Sequence, residues 1–173
     1  MEDKHSGVEL LDEAAGPDLE LARDFTDRGT ACAYMGQYKR AIRGYDRAIR
    51  LAPQFAKAYS NRGDAYSDLG QHQRAIQDYQ EAIRLDSQDA RVYYNRGGAY
   101  LNLGQYGQAI EDLDEFIRLD SHLALAYANR ALAHIVLGGD AEAQQDVDRA
   151  AELGLDRALL QEMVEQAKQL RQA

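Results

Sequence analysis

Three asparagines stand 34 residues apart in the chain, at Asn61, Asn95 and Asn129. An asparagine side chain can donate and accept hydrogen bonds together, so such a row could pair with the main chain of an extended peptide. The same regular spacing would equally suit a bond that holds the protein's own helices together. Both roles stay open at the level of the sequence.

Catalytic chemistry has little support in the residue types. The histidines form no i,i+4 pair with one another and have no cysteine partners; they are His5, His72, His122 and His134. No metal site is therefore indicated. The sequence also lacks a glycine-rich phosphate loop and a nucleophile motif. We predict a protein that is not an enzyme and that has no metal and no cofactor.

The composition limits the partners and the compartment. The 173 residues carry a net charge of −9, which argues against nucleic acid as the main partner because phosphate binding needs a basic face. No stretch approaches the ~18 consecutive apolar residues of a membrane span. The single cysteine, Cys32, excludes an internal disulfide framework and suits a reducing compartment. We therefore expect a cytoplasmic protein with neither a membrane nor a nucleic acid as partner.

The interval of 34 residues governs most of the chain. Glycine, arginine and alanine recur on it, at Gly29, Gly63 and Gly97, at Arg28, Arg62, Arg96 and Arg130, and at Ala41, Ala75, Ala109 and Ala143. In each copy, apolar residues recur at helical spacing before and after a glycine break, which predicts two helices. Such units cannot bury a core alone, so they are expected to stack. The copies are 22–55, 56–89, 90–123 and 124–157.

The order of residue types in these copies resembles the tetratricopeptide repeat (TPR). The second copy has the family's aromatic, glycine, aromatic, alanine, aromatic and alanine in turn, at Tyr59, Gly63, Tyr66, Ala75, Tyr79 and Ala82. The resemblance implies an all-α, right-handed solenoid of helix-turn-helix units over residues 21–157. It also implies a protein-binding scaffold or adaptor, co-chaperone-like in kind, that takes a peptide or helix of a partner in a concave groove.

In the TPR family, the first helix of each repeat lines this groove. Residues shared by every copy are assigned to stacking, as we assign the four arginines, whereas residues that vary between copies are free to meet a ligand. The family's groove positions give these candidates here: Lys57, Asn61, Asp64, Arg91, Tyr94, Asn95, Leu101, Leu125, Asn129, Leu132 and Ile135.

The candidates change from polar types in the second copy to apolar types in the fourth. Apolar side chains on a concave wall should be covered. The cover could be the chain's own last helix, a second copy of the chain, or an amphipathic helix of a partner. Two alternatives to peptide binding therefore stay open, namely an oligomer that associates through the apolar fourth repeat, and a small chaperone-like TPR protein.

One binding device of the family fits poorly. The carboxylate clamp of chaperone-binding TPR domains grips a C-terminal carboxylate with lysine, asparagine and arginine. Its places in the first three copies hold Thr26, Thr30, Asn61, Arg91 and Asn95, of which only Asn61 and Arg91 suit. We therefore do not expect the tail of a chaperone as the ligand.

The start of the chain differs from the repeats. Residues 1–20 hold seven acidic residues against one lysine and are predicted to be a mobile acidic extension. Arginines recur three to four residues apart on one helix of the first copy, at Arg40, Arg43, Arg47 and Arg50. They form either a solvated outer face or a stripe that the acidic extension shields.

Residues 158–173 are predicted to form a last amphipathic helix, with Asp156 as the N-cap after the stop at Gly154. Its apolar residues recur on one face, at Leu159, Leu160, Met163, Val164, Ala167 and Leu170. A solenoid needs a cap to cover the exposed end of its final repeat. We assign this helix that role.

Overall fold

The computed structural model describes residues 16–172, apart from the side chains of Pro17 and Leu170. Residues 1–15, which make up most of the predicted acidic extension, lie outside the described residues. The described part of the chain folds into helices and contains no strand. In chain order they are α1 (Pro17–Tyr34), α2 (Tyr38–Leu51), α3 (Ala56–Asp68), α4 (His72–Leu85), α5 (Ala90–Asn102), α6 (Tyr106–Leu119), α7 (Ala124–Leu137), α8 (Asp140–Glu152) and α9 (Arg157–Gln172).

A glycine ends the first helix of each repeat. Gly70, after α3, has a φ of 71°, a left-handed conformation that suits glycine because it has no Cβ. Its amide donates to the carbonyl of Ser67, and the next amide, of Gln71, donates to the carbonyl of Tyr66, both at 2.8 Å. This pair of bonds is a common way to end a helix. The corresponding glycines also have positive φ: Gly36, Gly104 and Gly138.

Neighbouring repeats share their apolar cores. One cluster joins α4 to α5 and consists of Ala75, Ile76, Tyr79, Ala82, Val92 and Ala99. Within a repeat the two helices approach closely, so that a Cβ added to Gly63 would lie 2.7 Å from the ring of Tyr79. Each helix pair packs on the next pair along the chain. The prediction of an all-α solenoid of helix-turn-helix units is confirmed.

An arginine of the first helix binds an aspartate of the second helix in three of the four repeats. Arg62 donates to Asp78 through Nε at 2.8 Å and through Nη2 at 2.7 Å. Equivalent two-bond pairs are Arg96–Asp112 and Arg130–Asp146. Burial raises the pKa of Asp78, although the bonds from Arg62 act to lower it. The structural role predicted for these three arginines is confirmed.

Two of these arginines also bind the preceding repeat. The contacts are Arg62 Nη1 to Asp46 at 2.6 Å and Arg130 Nη1 to Asp114 at 2.5 Å. Arg96 makes no such contact within the described residues, because Gln80 stands at the corresponding position. Arg28 has no carboxylate partner within residues 16–172, since Gly44 stands where the other repeats have the paired aspartate.

The last helix, α9, departs from the stacking of the repeats. Against the preceding repeat, a first helix packs mainly on the second helix, whereas α9 packs mainly on α7, the first helix of the fourth repeat. Leu160 and Ala167 are buried there. Asp156 caps α9 as predicted, because its carboxylate accepts the amides of Ala158 and Leu159. Leu159, predicted on the packing face, is instead 65% exposed.

Candidate functional site

The first helices of successive repeats, α1, α3, α5 and α7, contact one another in order and form one wall of the solenoid. Two adjoining cavities open along this wall, with volumes of about 420 Å³ and about 270 Å³. Asp64 and Asp68 line both of them. The two cavities therefore form one depression, called the groove below, which extends over the first three repeats to the edge of the fourth.

The three asparagines line the groove, and each is bound to the preceding repeat. The bonds run from Nδ2 of Asn61 to Thr30 at 3.2 Å, of Asn95 to Asp64 at 2.8 Å, and of Asn129 to Tyr94 at 3.4 Å. Asn129 has a different partner because Gly98 stands where the earlier repeats have Thr30 and Asp64. The amide nitrogens thus join neighbouring first helices. The side-chain oxygens accept no hydrogen bond from the described residues.

Asp64 collects three donors from two repeats. Its Oδ1 accepts from Tyr79 OH and from Asn95 Nδ2, both at 2.8 Å, and its Oδ2 accepts from Arg91 Nη1 at 2.7 Å. Arg91 also donates to Ser60 Oγ at 2.9 Å. Burial, with the charge of Asp64 in addition, raises the pKa of the Tyr79 hydroxyl. Asp64 and Arg91, both predicted as ligand contacts, therefore neutralise each other in this conformation.

Other groove residues are available to a ligand. Asp68 is exposed and forms no hydrogen bond or ion pair with the described residues, and burial, followed by the charge of Asp64, raises its pKa. Tyr34 is 89% exposed. Tyr38, the first residue of α2, also lines the groove. Tyr38 is not among the predicted contacts, because the family's groove positions lie only on first helices and Tyr38 belongs to a second helix.

The apolar predicted contacts of the fourth repeat line neither groove cavity. Ile135 is 2% exposed and belongs to a cluster that includes Leu160 and Ala167 of α9. Leu132 is half-buried against the same cluster, while Leu125 is 49% exposed. The chain's own last helix therefore covers part of this apolar wall, and Ile135 is closed to a peptide in this conformation.

The remaining candidates are placed apart as well. Lys57 is exposed and lines neither groove cavity; it lines another cavity, of about 290 Å³, between the second and third repeats, which shares Arg91 with the groove. Leu101 is half-buried on α5 and lines neither groove cavity. The structure thus brings six of the predicted residues together at the groove, namely Asn61, Asp64, Arg91, Tyr94, Asn95 and Asn129.

The chemistry that the groove offers is that of holding a ligand. It presents amide oxygens, phenol rings, two acidic side chains and one guanidinium. Within residues 16–172, no three His, Cys, Asp or Glu side chains are placed so that they could hold a metal ion. Over the same range, no helix has the length and the apolar character needed to cross a membrane.

The fold and the groove define a helical-repeat scaffold, and comparison with known families agrees. A model described as TPR repeat matches residues 29–70 and 63–104, and a model described as tetratricopeptide repeat matches residues 90–123. Together these matches extend over more than half of the chain. The chain therefore belongs to the tetratricopeptide repeat family. No curated protein matches it.

Several solved structures have the same fold. A crystal structure of MamA protein is 25% identical, with a TM-score of 0.78 over 88% of this chain and 85% of that one. The second TPR domain of human RPAP3, in complex with the HSP70 peptide SGPTIEEVD, is 28% identical, with a TM-score of 0.64 over 67% of this chain and 97% of that one. The Arabidopsis OM64 TPR domain is 26% identical, with a TM-score of 0.66 over 68% and 97%. These likenesses support a general class, the protein-interaction scaffold.

Proposed function

We propose that the chain is a non-catalytic scaffold that binds an extended peptide segment of a partner protein in the groove. The observation that carries this proposal is the pair of adjoining cavities along the first helices, which share Asp64 and Asp68. Their polar lining suits a main chain that presents amides and carbonyls at regular intervals. A peptide along the groove would meet the same kind of surface in successive repeats.

Two kinds of contact would hold such a peptide. The side-chain oxygens of Asn61 and Asn95 are unused within the described residues and can accept main-chain amides of the ligand. Tyr34, which is 89% exposed, offers a large and nearly rigid surface at one end of the groove. Exposed tyrosines of this kind often carry much of the energy of an interface.

The groove does not suit an acidic chaperone tail such as the peptide that the RPAP3 domain binds. Thr26 is only 1% exposed, and Arg91 is already bound to Asp64 and Ser60. Asp68 adds a carboxylate that would repel an acidic ligand. The co-chaperone-like role predicted from the sequence would therefore need a different ligand, and we expect SGPTIEEVD to show no specific binding to this groove.

The test is a selection of short displayed peptides on the full chain, followed by titration of an enriched peptide in solution. We expect Tyr34→Ala to weaken binding about tenfold, since loss of a hot-spot aromatic costs at least ~1.4 kcal/mol. The matched control is Leu159→Ala, another exposed apolar side chain, on α9 and away from the groove. Equal effects of the two variants, or failure to enrich any peptide, would contradict the proposal.

A second measurement distinguishes the two roles of the asparagines. Asn61→Ala removes a bond to the preceding repeat and also a potential acceptor for the ligand. A purely structural asparagine predicts a lower free energy of unfolding with unchanged peptide affinity. A ligand-binding asparagine predicts weaker peptide binding beyond any change in the folded fraction. Gln77→Ala, at an exposed position of α4, is the control.

Self-association is the second candidate function, and one observation favours it. Three apolar side chains of the fourth repeat and α9 remain exposed, at Leu125, Leu137 and Leu159. Light scattering over a concentration series should then show an oligomer that Leu125→Glu dissociates. A monomer at every concentration would dismiss this candidate. The cytoplasmic location stays a prediction from the single cysteine.

A further inference from the structure

A second depression lies on the first repeat, away from the groove. It has a volume of about 240 Å³ and is called the notch below. Its lining residues are Phe25, Arg28, Gly29, Cys32, Arg40, Arg43, Gly44 and Arg47. All four arginines are exposed, and no acidic residue is among these lining residues. The notch shares no lining residue with the groove.

The other repeats show what ligand Arg28 lacks. At the same place Arg62 binds two carboxylates, one on its own second helix and one on the preceding repeat. Arg130 does the same, with Asp146 and Asp114. Arg28 has a glycine in place of the first carboxylate, and within residues 16–172 no repeat precedes it to supply the second. Arg28 therefore stands at the position of a carboxylate-binding arginine but lacks the two carboxylates that Arg62 binds.

Close packing explains the glycine. A Cβ on Gly44 would lie 3.0 Å from the carbonyl oxygen of Phe25 and 3.1 Å from the Cα of Gly29. An aspartate at this position would push the two helices of the first repeat apart. Position 44 therefore cannot supply a carboxylate to Arg28, and Arg28 forms no ion pair with the other acidic residues of this helix pair.

The second helix of the first repeat carries three arginines at the notch, where the second and fourth repeats carry one each and the third carries none. Arg40, Arg43 and Arg47 correspond to Gln108, Glu111 and Glu115 in the third repeat, whose arginine is satisfied by its own aspartate. Arg47 also lies over the ring of Phe25, 5.4 Å from its centroid. The notch thus combines four positive charges with an aromatic wall. A peptide segment with several carboxylates would match this lining better than one small anion.

We propose that residues 1–15 of the same chain occupy the notch and supply the missing carboxylates to Arg28, as a preceding repeat would. This segment holds five acidic residues, Glu2, Asp3, Glu9, Asp12 and Glu13, against one lysine. It joins α1 about 12 Å before Phe25, at 1.5 Å per helical residue, and an extended segment of this length reaches up to ~50 Å. Tethering gives it an effective concentration on the order of millimolar, which favours it over a free acidic peptide.

The test places a spin label in the segment of the full chain, at Ser6→Cys in a Cys32→Ser background, and records the amide NMR signals of α1 and α2. We expect loss of signal intensity around the notch. Arg43→Glu should restore these signals. Arg50→Glu, an equal change of charge at an exposed position of α2 outside the notch, should leave the loss unchanged.

Salt gives an independent check. Raising the ionic strength from about 0.1 M to about 1 M shortens the Debye length from about 10 Å to about 3 Å, so the loss of intensity should fade. Neutralising the segment with Glu9→Gln, Asp12→Asn and Glu13→Gln should have the same effect. Signals that are unaffected by the label, or that respond equally to Arg43→Glu and Arg50→Glu, would overturn the proposal.

Two other occupants appear as distinct results. In the first, spin-labelled protein that carries no isotope is mixed with isotope-labelled protein that carries no spin label. If the notch signals of the isotope-labelled protein broaden, the segment binds between chains, and the proposal of binding within one chain is wrong. If the label has no effect but a glutamate-rich peptide shifts the notch signals, the notch serves a partner. The groove proposal stands or falls separately, because no variant used here lines the groove.

Discussion

Arg28 and Arg130 occupy the same place in the first and fourth repeats, yet their surroundings differ. Arg130 binds Asp114 and Asp146, whereas Arg28 is exposed without a carboxylate partner in residues 16–172. The inner wall differs too, because the groove is open at the first repeat and α9 covers Ile135 in the fourth. The repeat pattern thus decides which residues pack between helices. The elements that neighbour a repeat, such as a preceding repeat or α9, decide how much each position contributes to the free energy of unfolding.

The largest difference in stability is expected between alanine variants of the two arginines. Arg130→Ala leaves the carboxylate of Asp146, which is 4% exposed, without its partner, and breaking such a buried pair costs about 3–5 kcal/mol. Arg28→Ala should change the free energy of unfolding by less than about 0.5 kcal/mol. Urea denaturation followed by circular dichroism measures both. Similar losses in the two variants would mean that Arg28 also has a buried carboxylate partner, supplied from outside residues 16–172.

A smaller difference in stability is expected between the two terminal helices, α9 and α1. Leu160 of α9 is 3% exposed against the fourth repeat, so Leu160→Ala should cost about 2–5 kcal/mol in the free energy of unfolding. Leu21 of α1 is 44% exposed, and Leu21→Ala should cost much less. Hydrogen exchange should show faster opening of α9 and α7 in the first variant only. Unchanged protection of α7 would show that α9 does not stabilise the fourth repeat.

High pH should affect the first repeat more than the fourth. Burial raises the pKa of Tyr45, whereas Val147 holds the same place in the fourth repeat and cannot ionise. Because the folded state keeps the Tyr45 proton more tightly, its contribution is complete below about pH 10 and is lost as the pH rises further. The loss is at most about 1.4 kcal/mol per pH unit for one tyrosine.

Urea denaturation at pH 8 and at pH 11 measures this contribution. Tyr45→Phe should lose less stability between the two pH values than the wild type does. Tyr34→Phe, at a position that is 89% exposed, is the control and should behave as the wild type. A loss that is the same in all three proteins would place the titrating group elsewhere.

The smallest effect is expected at the tip of α9. Arg171 donates to Asp140 at 2.7 Å and to the carbonyl of Ile135 at 3.3 Å, and both charged groups are partly exposed. Exposed ion pairs contribute about 0–1 kcal/mol, so Arg171→Ala should lower the free energy of unfolding by no more than that. A larger loss would show that this pair, rather than Leu160, holds α9 in place.

The sequence predicted the parts of this molecule that repeat. The helix pairs follow from the 34-residue interval, and the polar groove residues follow from their places within it. The sequence left the direction of α9 open between covering the fourth repeat's apolar wall and leaving it to another occupant, because the direction depends on the single turn at residues 153–156 and on which face of α7 is free. The hydrogen bond of Asn129 to Tyr94 could not be predicted from the repeat pattern either. It forms because Gly98 has no side chain that could accept a bond at the position of Thr30 and Asp64.

Gln80 has a mechanical consequence. It leaves Arg96 without a bond to the preceding repeat, so the outer ion pairs join the first repeat to the second and the third to the fourth. The second and third repeats are tied by an ion pair on the groove side instead, between Asp64 and Arg91. Under tension, we expect the solenoid to bend as two stiff halves about this joint. A ligand that competes for Asp64 would then change its curvature.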